Sequence, residues 1–117
     1  MQPNKEVGMI AKLFNGKSAE TVLLFLYAYN EGYASEISNF SGISLSSIQK
    51  QLIKFENAGL FVSQLKGKTK VFMWNPRYPF LEEFKLFLKK VFLYLPEKEM
   101  NNYNKKRKRP RKGDKIL

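Results

Sequence analysis

The chain has 117 residues and contains neither cysteine nor histidine. Without cysteine there can be no disulfide, thiolate nucleophile or thiolate metal ligand. Without histidine there is no imidazole general base, and the two absences together remove every Cys/His zinc site. Long apolar runs are missing too. The longest, residues 22–29, spans eight residues, against the roughly 20 a membrane-crossing helix needs. The opening MQPNKEVGMI has no cationic start followed by an apolar core, so no secretion signal is visible. These absences predict a soluble, intracellular chain with no metal, no cofactor and no membrane partner.

Acids are also scarce. Ten Asp and Glu stand against 21 Lys and Arg, giving a formal net charge of +11. Residues 105–117 hold eight of the basic residues and one acid, while the other 104 hold thirteen against nine. Such a balance favours polyanionic partners. The acids are scattered and form no catalytic constellation. Glu82 and Glu83 are adjacent, so on a helix their side chains diverge. No glycine-rich phosphate loop or nucleophile elbow is present. An enzyme is not expected.

Apolar content is ample for a core, at 44% hydrophobic and 15% aromatic residues. The length suits one domain. Residues 1–7 read as a loose N-terminus, 8–96 as the folded domain and 97–117 as a basic tail, disordered when free. A short helix or turn is expected over 8–14, stopped by Asn15-Gly16.

The most informative stretch is 33–60, YASEISNFSGISLSSIQKQLIKFENAGL. A short helical pattern breaks at Ser41-Gly42 and restarts as a longer helix over 44–57. Ser44 is placed to cap the restart. Ile48, Leu52 and Phe55 fall on one face, and Ile37, Phe40 and Ile43 supply the short helix's packing surface. Gly59 suits the left-handed position that ends a helix. The opposite face carries Ser46, Ser47, Lys50, Lys54 and Asn57, with Gln49 beside them. A small, polar, cationic helix face is the shape that enters a DNA major groove. It is equally the shape of a solvated face on a core helix.

Residues 61–65 and 69–74 then read as two strands joined by a Lys66-Gly67-Lys68 turn. Lys66, Lys68 and Lys70, with Thr69 among them, make a cationic hairpin tip. Trp74 reads as core or interface rather than as a base-stacking platform. Glu36 reads as serving the first turn of its helix, and Glu56 as held by a salt bridge.

Helix, turn, helix and basic-tipped hairpin make the winged-helix arrangement. Glu36-Ile37, Gly42-Ile43-Ser44, Ile48, Leu52, Phe55-Glu56, Ala58-Gly59-Leu60-Phe61-Val62 and Asn75-Pro76 resemble the arsenic-repressor-type winged helix-turn-helix regulators and the related MarR-like group. The resemblance covers roughly residues 18–95. It implies a mainly α fold with a small β-hairpin and a cytoplasmic, prokaryotic, dimeric DNA-binding regulator, most often a repressor. The recognition helix would be 44–57 and the wing 61–75. Metal-sensing members of that group use Cys or His ligands, which this chain lacks.

Two helices look too apolar for one small core. Residues 18–29, capped by Ser18, have no polar face after the first turn, and 80–95 carry Leu81, Phe84, Leu88, Val91 and Leu95 with further aromatics around them. A helix apolar all round needs cover on several sides. The expectation is a homodimer built on Leu23, Phe25, Leu26, Tyr27, Phe84, Phe87, Leu88, Val91, Phe92 and Leu95. The space between the first and last helices of such a dimer has room for an apolar effector.

The tail residues Lys105, Lys106, Arg107, Lys108, Arg109, Arg111 and Lys112 read as a polyanion-binding arm that adds phosphate contacts. Two other functions remain open at this level. One is a winged-helix scaffold that binds protein through the last helix. The other is a nucleic-acid-binding protein driven by the tail alone.

Overall fold

Helix α1 (Lys17–Tyr29) is the axis on which the rest packs, in a computed structural model that describes residues 10–14 and 16–107, the side chains of 105–107 excepted. It is followed by β1 (Glu31–Tyr33), α2 (Ala34–Ser41), α3 (Leu45–Asn57), β2 (Phe61–Lys66), β3 (Thr69–Trp74), α4 (Leu81–Leu93) and α5 (Glu97–Arg107). Among the described residues the chain is therefore mainly helical, with five helices and one three-stranded antiparallel sheet of order β1-β3-β2. No helix among these residues is long and apolar enough to cross a membrane.

The cover for α1 comes from its own chain. α2, α3, α4 and α5 all pack against it. Leu23, Phe25 and Leu26 are 0% exposed, so they have no surface left to offer a partner. Tyr27 is half-buried, its ring 5.5 Å from that of Phe92. On α4 and just beyond it, Leu88, Val91, Phe92 and Leu95 are buried, and Phe84 is half-buried. The expectation that a second subunit must bury these residues is corrected: five helices and a sheet do so within one chain. Of the ten, Phe87 is the one with substantial open surface, at 39%. The open part of α4 is instead Leu86, Phe87 and Leu93, continuing to Tyr94.

Helix α1 begins without a side-chain cap. Gly16, at φ 122°, precedes it, and Ser18 lies inside the first turn. Glu20 is fully buried in that turn, where its charge suits the helix dipole and the ammonium of Lys17 lies 3.1 Å away. Residues 10–14 form a turn anchored by buried Ile10, within the stretch 8–14 where a short helix or turn is expected. The remainder of that stretch, with Asn15, lies outside the described residues.

Asn30-Glu31-Gly32 reads as a plain turn, yet it begins the third strand. Asn30 is left-handed at φ 70°, and its N–H donates to the Leu26 carbonyl at 2.7 Å. Residues 31–33 then pair antiparallel with 71–73. Only a residue without Cβ fits at position 32. A β-carbon there would stand 2.9 Å from the Phe25 ring and 3.3 Å from Ile37.

Trp74 closes the sheet onto α1. It is 8% exposed, and its indole Nε1 donates to the Leu26 carbonyl at 3.0 Å. That buried hydrogen bond explains how a polar-edged aromatic sits in the core.

Residues 97–104, polar and asparagine-rich, read as a linker. They instead form most of α5, which extends to Arg107. Met100 and Tyr103 fall on one face at i and i+3, and both pack on the core. The Tyr103 ring lies 4.9 Å from Phe40 of α2 and 5.5 Å from Phe92 of α4, and the Tyr29 hydroxyl donates to its carbonyl. Met100 and Tyr103 dock the helix on the core, and Glu99 adds an ion pair to Lys17 of α1 at 3.5 Å.

Candidate nucleic-acid interface

The site is built from α3 and the β2–β3 hairpin, and the order of each follows from local sequence. Ser44 Oγ accepts from Ser47 N at 3.3 Å, the cap its position predicts. Ile48 and Leu52 are 0% exposed and Phe55 is 7%, which fixes the inward face. At the C-terminus Leu60 N donates to the Phe55 carbonyl and Gly59 N to the Glu56 carbonyl, both at 3.0 Å, with Gly59 at φ 87°. This paired pattern is the Schellman stop, which needs a left-handed residue.

The α2–α3 turn is stapled by serines. Ser41 Oγ donates to the Ile37 carbonyl at 2.8 Å and accepts from Ile43 N at 3.1 Å. Ser38 Oγ donates to the Ile43 carbonyl at 2.6 Å. Gly42, at φ 79°, makes the reversal possible. The serine-rich run thus spends its hydroxyls on fixing how α3 leaves α2.

The hairpin places Lys66 opposite Thr69, with Gly67 and Lys68 as a two-residue turn. Gly67 supplies the positive φ of 67° that this tight turn requires. Its base is tied to α3 through Asn75, whose side chain donates to the Gly59 carbonyl at 2.8 Å and whose backbone N–H donates to the Leu60 carbonyl at 2.9 Å.

On α3, Ser46, Gln49, Lys50, Lys54 and Asn57 are exposed, Ser47 is half-buried and Ser44 sits exposed at the cap. Ser46, Lys50 and Asn57 share the strip most distant from the core. The Lys54 ammonium lies 4.9 Å from the Phe55 ring centroid, so its stem lies along the helix's flank. Beside the outward strip runs a second one of Leu45, Gln49 and Ile53.

Across from that second strip stand Lys68, Thr69 and Lys70. Helix α3, the hairpin and the β1–α2 junction at Tyr33–Ser35 together bound an open groove of about 570 Å³, lined in part by Phe72. The groove unites Gln49 with Lys68, Thr69 and Lys70. Ser46, Ser47, Lys50, Lys54 and Asn57 do not line it; they lie on the adjoining exposed surface of the same helix.

Two of the hairpin lysines face carboxylates that sequence order does not suggest. Lys66 Nζ is 3.7 Å from Glu31 on β1, and Lys70 Nζ is 3.6 Å from Glu56 on α3. Ser63 Oγ also donates to Glu56 at 2.6 Å. Glu56 therefore has the salt bridge expected of it, and Glu36 accepts from Tyr33 N at 3.4 Å in the first turn of α2. Among the described residues Lys68 has no ion pair and is the hairpin's unneutralised cation.

Sequence reasoning missed Leu45 and Ile53. They are 43% and 47% exposed, and their signal was available: neither belongs to the Ile48, Leu52, Phe55 stripe. In the tail, Lys105, Lys106 and Arg107 continue the backbone of α5, and Lys108, Arg109, Arg111 and Lys112 lie outside the described residues. No protein-family model, curated protein or solved structure matches this chain.

Proposed function

We propose that the chain is a winged helix-turn-helix protein that binds double-stranded DNA in a sequence-dependent way and acts as a transcriptional regulator, most simply a repressor that occludes a promoter. The observation that carries this reading is the shared groove. α3 and the hairpin line it together, with Gln49 on one wall and Lys68, Thr69 and Lys70 on the other, while Lys50 and Lys54 lie on the exposed surface of the same helix. α3 enters the major groove with Ser46, Gln49, Lys50 and Asn57 toward the bases, and Lys54 toward a phosphate. The hairpin, led by Lys68 with Thr69, lies on the backbone alongside. The basic residues of 105–112 add phosphate contacts at the edge of the site.

The proposal includes a homodimer that pairs through the open face of α4. Leu86 and Leu93 repeat at seven residues, as do Phe87 and Tyr94, and all four are exposed. Glu82 and Glu83 lie at one end of this face and Lys89 and Lys90 toward the other. An antiparallel pair of α4 helices sets each acidic end against the partner's lysines. Two-fold symmetry then calls for a roughly palindromic site, its half-sites one helical turn or a multiple apart.

Selection of duplexes from a random pool, using the full chain and a chain ending at residue 104, tests the reading. The expected result is one enriched motif in both selections, with weaker binding by the shorter chain. Enrichment of nothing by either chain rejects it. Binding lost entirely with residues 105–117 assigns the function to the tail.

A further inference from the structure

Leu45 and Ile53 hold about half of their surface in water on a helix whose core face is complete without them. Singly, exposed aliphatic residues are ordinary. These two bracket Gln49 at i, i+4 and i+8, so the three form one strip along α3. That strip is one wall of the groove, which Phe72 also lines, with Lys68 and Lys70 on the far rim. The occupant that suits such walls presents small apolar groups flanked by negative charge.

Duplex DNA has that combination on its major-groove side. The thymine C5-methyl is the apolar group displayed there, and adenine presents N6 and N7 to a glutamine amide. We infer that the Leu45–Gln49–Ile53 strip makes this protein a reader of A·T pairs through thymine methyl groups. Leu45 and Ile53 each cover one methyl, and Gln49 takes an adjacent adenine edge. Lys68, which has no ion pair among the described residues, holds the phosphate that brings those edges into the groove. The inference rests on the proposed DNA binding and assigns its specificity to residues on the wing side of the helix, leaving Ser46 and Lys50 a smaller share of the selectivity.

The experiment takes the duplex selected by the full chain and replaces its thymines one at a time by deoxyuridine, which deletes the methyl and leaves the pairing intact. Affinity should fall roughly fourfold at one or two positions in each half-site, the ratio that about 0.8 kcal/mol per buried methyl-sized group gives. Leu45→Ala and Ile53→Ala should each lose a similar factor on the thymine duplex and become indifferent to deoxyuridine at one of those positions. The deoxyuridine series on the unaltered chain does not depend on how any variant folds. Tight, selective binding that no deoxyuridine changes overturns the inference and leaves DNA binding standing. Failure to retain any duplex removes both.

Discussion

Lys70 Nζ on β3 stands 3.6 Å from one oxygen of Glu56 on α3, while the other oxygen accepts from Ser63 Oγ on β2 at 2.6 Å. One carboxylate thus holds both strands of the hairpin against the helix. It also places a negative charge beside the surface proposed to meet phosphates.

Glu56→Gln keeps an acceptor for Ser63 and removes that charge. Both members of the ion pair are partly exposed, so the stability change should stay within about 1 kcal/mol. Affinity for any duplex should rise, and the salt dependence should steepen by about one unit in log–log slope as Lys70 is freed. Fluorescence anisotropy at several salt concentrations measures both. Unchanged affinity and slope would place Glu56 and Lys70 away from the nucleic acid.

The hairpin and the helix should differ in what they control. Lys68→Ala should weaken binding to all duplexes alike and flatten the salt slope by about one unit. Lys66→Ala should do less, because Glu31 already lies 3.7 Å from that ammonium. Gln49→Ala should instead cost about 1–3 kcal/mol on the selected duplex and little on a random one. Equal losses on both duplexes from all three variants would contradict this division.

The face of α4 gives a separate prediction. Sedimentation at increasing concentration should show a dimer, and Phe87→Glu combined with Leu93→Glu should give a folded monomer. The far-ultraviolet spectrum should not change, since the two positions are 39% and 63% exposed. A chain that sediments as a monomer at all concentrations would remove the α4 contact.

Tyr103 predicts a loss of stability at high pH. Burial, then the carboxylates of Glu99 and Glu20 and the neighbouring Tyr29, push its phenol well above the ordinary 10.0. The folded chain therefore holds this proton more tightly than the unfolded chain. The resulting stabilisation is complete below about pH 10 and falls as pH rises beyond it, by up to about 1.4 kcal/mol per unit. Tyr103→Phe should lose this slope. Between about pH 9 and 11.5, the denaturant midpoint of the unaltered chain should fall relative to that of Tyr103→Phe as pH rises past about 10. Parallel curves would show that the phenol does not limit stability.

What could be read in advance followed locality. The Ser44 cap, the Gly59 stop, the Ile48–Leu52–Phe55 stripe and the Gly67 turn depend on residues within a few positions of one another, and all four stand as expected. β1 was hidden because a three-residue strand is defined by its partner at 71–73, some forty residues away. α5 was hidden because two apolar side chains in eleven residues leave almost no periodic signal; its order comes from the surface formed by Phe40 and Phe92. The charge of the hairpin was misjudged for the same reason. Glu31 and Glu56 approach Lys66 and Lys70 only after folding. α1 looks short of cover in the sequence because α5, which helps to cover it, carries so little apolar pattern.

Amide chemical-shift mapping tests the central claim most directly: an isotope-labelled full chain is titrated with the selected duplex and each backbone resonance followed. The account predicts shifts concentrated in α3 and in residues 66–70, appearing together at one DNA concentration, with α4 little affected. Shifts confined to the residues beyond Arg107, or to α4, with α3 and the hairpin unmoved, would contradict it.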